Sequence, residues 1–216
     1  MAEIDLLRSL PKSKRNIEKR SEGKDPEVVR ISKQYGEIYF DGPREYGYGG
    51  YRYDGRWVPV ARDIIEHFGL KRGGKVLDVG CAKGFLVKDL LAEGMDAHGI
   101  DISEYALANC EPEVVGRLQL GSAERLPFSD GSFAAVLALN VIHDLPRDGC
   151  VRALAEIERL APGKGFVQVD SYRTPEQKEI FESWVLTAEF HDYPEGWIKV
   201  FEEAGYTGDY YWTIID

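Results

Sequence analysis

Cysteine is scarce: Cys81, Cys110 and Cys150 are the only three in 216 residues, they lie far apart, and none forms a C-x-x-C pair. An odd, scattered set excludes a disulfide framework and a cysteine-held zinc site, so a reducing cytoplasm without a bound metal is expected. Long apolar runs are missing too. The most apolar stretch, Ala134 to Ile142, falls well short of the roughly 20 residues that cross a bilayer. Met1 to Arg20 carries Glu3, Asp5, Lys12, Lys14, Arg15, Lys19 and Arg20 without an apolar core segment, so no signal peptide is expected there. Nor is there an excess of positive charge: 37 acidic against 27 basic residues give a net charge of −10, which opposes binding to nucleic acid or to an anionic membrane surface. A soluble cytoplasmic protein with a small-molecule partner is expected from these absences, and a monomer or homodimer is the expected state.

What is present is ordinary globular material, 44% hydrophobic, enough for one well-cored domain. Its organising stretch is residues 76–101. Val76-Leu77-Asp78-Val79 has the β-branched content of a buried strand, and Gly80-Cys81-Ala82-Lys83-Gly84 follows as a small-residue turn. Phe85, Leu86, Leu90 and Leu91 then repeat at the spacing of one helix face. A second strand, Ala97-His98-Gly99-Ile100, ends on Asp101. A strand, glycine turn, helix and strand with an acid at the tip is how open α/β sheets hold the adenosine half of a cofactor.

Two other nucleotide signatures fail. Gly69 to Val76 imitates a phosphate-binding loop, but Val76 replaces the required Ser or Thr and the motif precedes the strand. The nicotinamide fingerprint G-x-G-x-x-G would need glycine where Ala82 and Phe85 stand.

The rest of the chain alternates helix and strand. A charged arm over 1–34, broken by Pro11 and Pro26, reads as loosely ordered or as a lid or dimer contact. One domain is expected over 35–216. A helix over Val58–Phe68 stops at Gly69, and Ser103 caps a short helix through Ala108. Leu118 and Leu120 begin a third strand. Phe133 to Ile142 is the continuous apolar run of a central strand covered on both faces, interrupted by Asn140. Val151, Leu154, Ile157 and Leu160 mark another helix, and Gly165–Val169 a fifth strand. Beyond lie helices at 176–183 and 195–204, a short strand near 185–190 and a last strand near 209–215.

Residues 35–57 stand apart. Tyr35, Tyr39, Phe40, Tyr46, Tyr48, Tyr51, Tyr53 and Trp57 alternate with Gly36, Gly42, Gly47, Gly49, Gly50 and Gly55. Glycine at this density suits a shaped loop. Tyr48, Tyr51 and Tyr53, with Arg52, are candidate substrate contacts, because tyrosine offers flat apolar area, a hydroxyl and a face for a cation. Alternatively the aromatics pack the loop onto the domain. Arg44, Arg52 and Arg56 point towards a ligand bearing carboxylate or phosphate.

Four blocks in order now resemble a class I S-adenosylmethionine-dependent methyltransferase of the small bacterial type. They are Val76 to Gly84, Gly99-Ile100-Asp101-Ile102-Ser103, Ser122 to Phe133, and Leu139 to Leu145. The resemblance implies a Rossmann-like α/β fold: an open, mostly parallel seven-stranded sheet with helices on both faces and an antiparallel C-terminal strand. It implies S-adenosylmethionine as cofactor and S-adenosylhomocysteine as product. It assigns Gly80, Cys81, Ala82 and Gly84 to the methionyl side, Asp78 to its amino group and Asp101 to the ribose hydroxyls. Ile102, Ser122, Ala123 and Glu124 fall at the adenine, and Asn140 beside the methionyl backbone. Ala82 replaces the family's usual middle glycine, which a negative φ would tolerate; Ser122 replaces a common Asp.

Transfer from a sulfonium needs alignment of the acceptor and exclusion of water above all. His143 is the candidate catalytic base for an oxygen or nitrogen acceptor, or else a positioning side chain. Asp144 orients it or caps the next turn, and His191, Asp192 and Tyr193 form a second polar cluster, expected at the surface. The expected reaction is O- or N-methylation of a small molecule, with a sugar, nucleotide-linked sugar or glycan precursor as the suggested class. The competing function is a catalytically silent cofactor-binding partner or scaffold subunit.

Overall fold

The computed structural model describes residues 1–11 and 21–215. Helices α1 (Pro26–Ser32), α2 (Glu37–Asp41) and α3 (Val58–Phe68) lead into strand β1 (Lys75–Val79). Then follow α4 (Phe85–Ala92), β2 (Asp96–Asp101), α5 (Glu104–Ala108), β3 (Leu118–Leu120) and β4 (Ala135–Leu139). The chain closes with α6 (Arg147–Leu160), β5 (Gly165–Asp170), α7 (Pro175–Trp184), α8 (Pro194–Ala204) and β6 (Asp209–Thr213).

Local chemistry accounts for these boundaries. Asp25 caps α1 by accepting from the Val28 N–H at 2.8 Å, and Ser103 caps α5 by accepting from that of Ala106 at 3.0 Å. Helix α3 ends on Gly69 in the left-handed conformation at φ 61°. Strand β5 is buried along its whole length, as a strand covered on both faces must be.

The strands form one sheet in the order β3-β2-β1-β4-β5-β6. The order reverses between β1 and β4, which pair in parallel with Val76 opposite Ala135 and Val79 opposite Ala138. At such a switch point the loops leaving the two strands diverge and open a crevice at their C-terminal ends. On one face α6 and α8 pack Leu154, Ile157, Trp197 and Phe201 against Val136 and Val167. On the other, α3 and α4 bring Val60, Ile64, Val87 and Leu90 onto Val76, Leu137 and Phe166.

Several expectations are corrected. The described residues form six strands, and β6 runs parallel to β5, with Phe166 opposite Asp209 and Asp170 opposite Thr213. Helix α8 returns the chain to the starting edge of the sheet, so the next strand enters in the common direction. No strand forms near 185–190; instead the Glu189 and Phe190 N–H groups donate to the His143 carbonyl. The start of the chain is not a loose arm: Ile4 N–H donates to the Tyr210 carbonyl, Glu3 bridges Tyr210, and Leu6 and Leu7 are buried in the core. This covers the free edge of β6, which would otherwise offer unpaired backbone groups. The arm's residues 12–20 lie outside the described residues.

Candidate functional site

The turn after β1 shapes the crevice. Gly80 adopts φ 76° and donates to the Ile100 carbonyl at 2.7 Å, and a Cβ there would collide with Val141 beyond β4. Ala82 does not take the expected negative φ; it sits at φ 49°. Its N–H donates to Asp101 Oδ2 at 2.7 Å while the Ser103 N–H reaches Oδ1 at 2.8 Å. Left-handed backbone costs an L-residue about 1–2 kcal/mol, and here it aims the amide at the acid. Tyr35 and Asn140 share this conformation, so the described non-glycine exceptions all border the crevice, where such strain is commonly stored.

Asp78 and Asp101 face the same space. Burial, reinforced by the Asp101 charge, pushes the Asp78 carboxyl up to about 8; no described donor reaches it. Burial also raises Asp101, against the pull of its backbone N–H partners. Each Asp101 oxygen keeps a lone pair for a further donor. Gly84 opens α4 at φ 78°, Cys81 is buried, and Ile102 is 56% exposed at the rim. Ser122 accepts from the Glu124 N–H, Ala123 is buried in the core, and the Glu124 carboxylate is held by Arg152. The Asn140 side chain turns to Gln168 and Thr213.

Residues 35–57 fold over this crevice. Tyr51 stacks on Phe85 with centroids 4.6 Å apart, and Tyr48 lies 4.3 Å from Tyr51. Buried Phe40 anchors the cluster against Tyr39, Tyr48, Tyr51 and Tyr105. A polar latch adds to it: Asp41 Oδ2 accepts from Lys83 Nζ at 2.6 Å and from the Tyr105 hydroxyl at 2.7 Å. Lys83 also donates to the Tyr51 carbonyl, and the Tyr51 N–H to Asp41 Oδ1. Against burial, which raises it, these partners hold the Asp41 carboxyl below its usual range. Sequence reasoning missed Phe40 as the anchor and the Lys83–Asp41–Tyr105 latch; a lysine set inside a turn of small residues was the one available signal.

Two substrate candidates fall elsewhere. The Tyr53 hydroxyl donates to Asp89 on α4 at 2.6 Å beneath Lys88, and Arg52 is exposed. Arg44 donates to the Gly47 carbonyl and Arg56 pairs with Asp54. The segment thus uses these two arginines on itself.

His143 follows β4 in a short 3-10 turn and is 4% exposed. Its Nδ1 accepts from the Asp170 N–H at 3.1 Å. The neutral ring therefore carries its proton on Nε2, directed at Asp170 Oδ2 at 3.4 Å and Asp144 Oδ1 at 3.7 Å. A base needs a free lone pair, and in this arrangement the Nδ1 lone pair of the expected catalytic base is taken by the Asp170 N–H. Asp144 Oδ1 is sealed from solvent without a hydrogen bond, and burial raises its carboxyl although Thr187, Tyr35 and His143 face it. His191 is half-buried, with Nδ1 3.0 Å from the Tyr172 hydroxyl.

Among the described residues no group of side chains could hold a metal, and no helix is long and apolar enough to cross a membrane. Residues 77–169 match the model of a family described as a methyltransferase domain. An uncharacterized methyltransferase of Synechocystis is 31% identical over 111 residues, covering 50% of this chain and 52% of that protein. The ubiquinone biosynthesis O-methyltransferase of Methylococcus capsulatus is 34% identical over 116 residues, covering 50% and 48%. The chain spans about half the length of these curated relatives. The solved structure of YcgJ from Bacillus subtilis superposes with a TM-score of 0.53 at 18% identity, over 67% of this chain and 66% of that one, a likeness of fold.

Proposed function

Because residues 77–169 match a methyltransferase-domain family, we propose that the protein is a class I S-adenosylmethionine-dependent methyltransferase that transfers the sulfonium methyl group to a small-molecule acceptor held beneath residues 35–57. The observation that carries this reading is the buried, donor-free carboxyl of Asp78 beside the left-handed Gly80–Gly84 turn. A methionyl ammonium supplies the missing donors, and the N–H groups of the first turn of α4, which have no partner within their own helix, suit its carboxylate. Asp101 would take the ribose hydroxyls on its remaining lone pairs, and the exposed Ile102 would lie against the adenine.

When bound, the cofactor supplies an electrophilic methyl group. The chain's own part is to seat the acceptor in line with it and keep water out. Tyr48 and Tyr51, their rings tilted 43° to each other, cover the crevice, and the Lys83–Asp41 latch holds them closed. His143 Nε2–H orients the Asp170 and Asp144 carboxylates, which are the proton acceptors at hand. The inward use of Arg44 and Arg56 weakens the case for an anionic acceptor, and the engagement of the Tyr53 and Tyr105 hydroxyls by Asp89 and Asp41 leaves a sugar-like one without donors from those two rings.

Calorimetry with S-adenosylmethionine and S-adenosylhomocysteine tests the cofactor site: both are expected to bind, and binding of neither overturns the proposal. Release of S-adenosylhomocysteine in the presence of sugars, amines and phenols then separates an enzyme from a silent cofactor-binding subunit.

A further inference from the structure

Beyond the Asp78–Asp101 side of the crevice lies a second group of polar side chains. The Asp170 side chain is 10% exposed, and its ion-pair candidate among the described residues is the His143 ring, whose Nε2 lies 3.4 Å away, longer than a good hydrogen bond. Asp144 Oδ1 accepts no hydrogen bond from the described residues, and His143 Nε2 stands 3.7 Å away. Thr187 and Tyr35 hydrogen-bond the Asp144 carboxyl, with His143 and Asp170 beside it, and among the described residues no lysine or arginine stands within ion-pair distance of it. A buried carboxylate without a cation or a full set of donors is costly. Tyr48 connects this cluster to the cofactor side, lying within electrostatic reach of both Asp101 and Asp144. The rings of Tyr35 and Tyr48, both in contact with Tyr39, wall the space between.

Resting on the methyltransferase reading above, we propose that the acceptor is an amine, recognised as its ammonium by Asp144 and Asp170 and covered by the faces of Tyr35 and Tyr48. Carboxylates and aromatic faces both attract a cation, and neither favours a neutral alcohol to the same degree. The ammonium hands one proton to an Asp144 or Asp170 carboxylate, which frees its lone pair. The new N–C bond forms as the S–C bond breaks, and that electron pair returns to sulfur as a neutral thioether. The product leaves as the N-methylammonium, and the carboxyl proton returns to solvent. His143 keeps its Nε2 proton throughout and acts as a positioning residue.

The test uses the full chain saturated with S-adenosylhomocysteine and titrated with matched amine and alcohol pairs: ethanolamine and ethylene glycol, 2-phenylethylamine and 2-phenylethanol, glucosamine and glucose. At least one amine is expected to bind about tenfold or more tightly than its alcohol, the worth of one modest charge interaction. Asp170→Asn and Asp144→Asn should each erase that preference while leaving S-adenosylhomocysteine affinity within about twofold. Thermal melts in the same solutions identify a variant that fails to fold, in which case the other carries the test. Equal or tighter binding of the alcohols, absence of binding by every amine, or a preference that survives both substitutions overturns the proposal. Failure of S-adenosylhomocysteine itself to bind instead overturns the methyltransferase reading.

Discussion

The crevice floor and its cover are built by different means. Residues 76–101 are held by sheet register and backbone N–H groups: Gly80 and Cys81 donate to Ile100, and Ala82 to Asp101. Residues 35–57 are held by side chains, namely the rings around Phe40 and the bonds converging on Asp41. Two carboxyl groups express the contrast. Asp78 is buried without donors and raised to about 8, whereas Asp41 is surrounded by donors and lowered. The floor is thus fixed by backbone bonds around a carboxyl without donors, and the cover is a satisfied latch that a few substitutions can release.

The largest expected effect is on the floor. Gly80→Ala places a Cβ against Val141 at a left-handed φ, and a loss of about 2–4 kcal/mol is expected in urea unfolding. Gly36→Ala in the cover, with open space around it, is the matched control and should change stability by less than about 0.5 kcal/mol. Equal losses in the two variants would break the comparison.

Lys83→Met comes next. Removing the cation leaves Asp41 with the Tyr105 hydroxyl and the Tyr51 N–H, and the closed cover should weaken by about 1–3 kcal/mol. Limited proteolysis within 35–57 should accelerate several-fold while global unfolding moves little. Unchanged cleavage would show that the rings alone hold the cover.

The two carboxyl groups should respond to pH in opposite directions. The raised Asp78 carboxyl stabilises the ligand-free fold fully below about pH 4 and loses that contribution as pH climbs through about 8. Asp78→Asn should flatten this slope, gaining about 1–3 kcal/mol over the parent at pH 9 and little at pH 5. The lowered Asp41 carboxyl contributes above its unfolded pKa and loses its effect as pH falls through the folded value. Binding of S-adenosylhomocysteine near pH 7 should release a proton, read as a dependence of the calorimetric heat on buffer ionisation enthalpy.

Ala82→Gly should have the smallest effect. Relief at φ 49° opposes the larger unfolded-state entropy of glycine and the loss of a methyl group packed with Phe40 and Ala106. A change within about 1 kcal/mol is expected, with faster proteolysis of the cover, because the same methyl group belongs to both regions.

The run from Val76 to Asp101 was legible because strand, turn and helix signals are local: β-branched residues, glycines, an apolar face and an acid within one short stretch. The helix ends at Gly69 and Ser103 were legible for the same reason. Strand direction at the C-terminal edge was not, because only the path of α8 decides which way β6 enters. Tyr53 and Tyr51 look alike in sequence, yet one turns to Asp89 and the other onto Phe85.

By itself, then, the sequence determined the alternation of helix and strand, the glycine turn and the acid that ends β2, features written in neighbouring residues. Tertiary structure alone decided the left-handed Ala82, the nitrogen that His143 commits to the Asp170 backbone, the latch joining Asp41 to Lys83 and Tyr105, and the approach of Asp144 to Asp170. These contacts join residues distant along the chain, so no local pattern records them; they exist only once the sheet has brought the strand ends together.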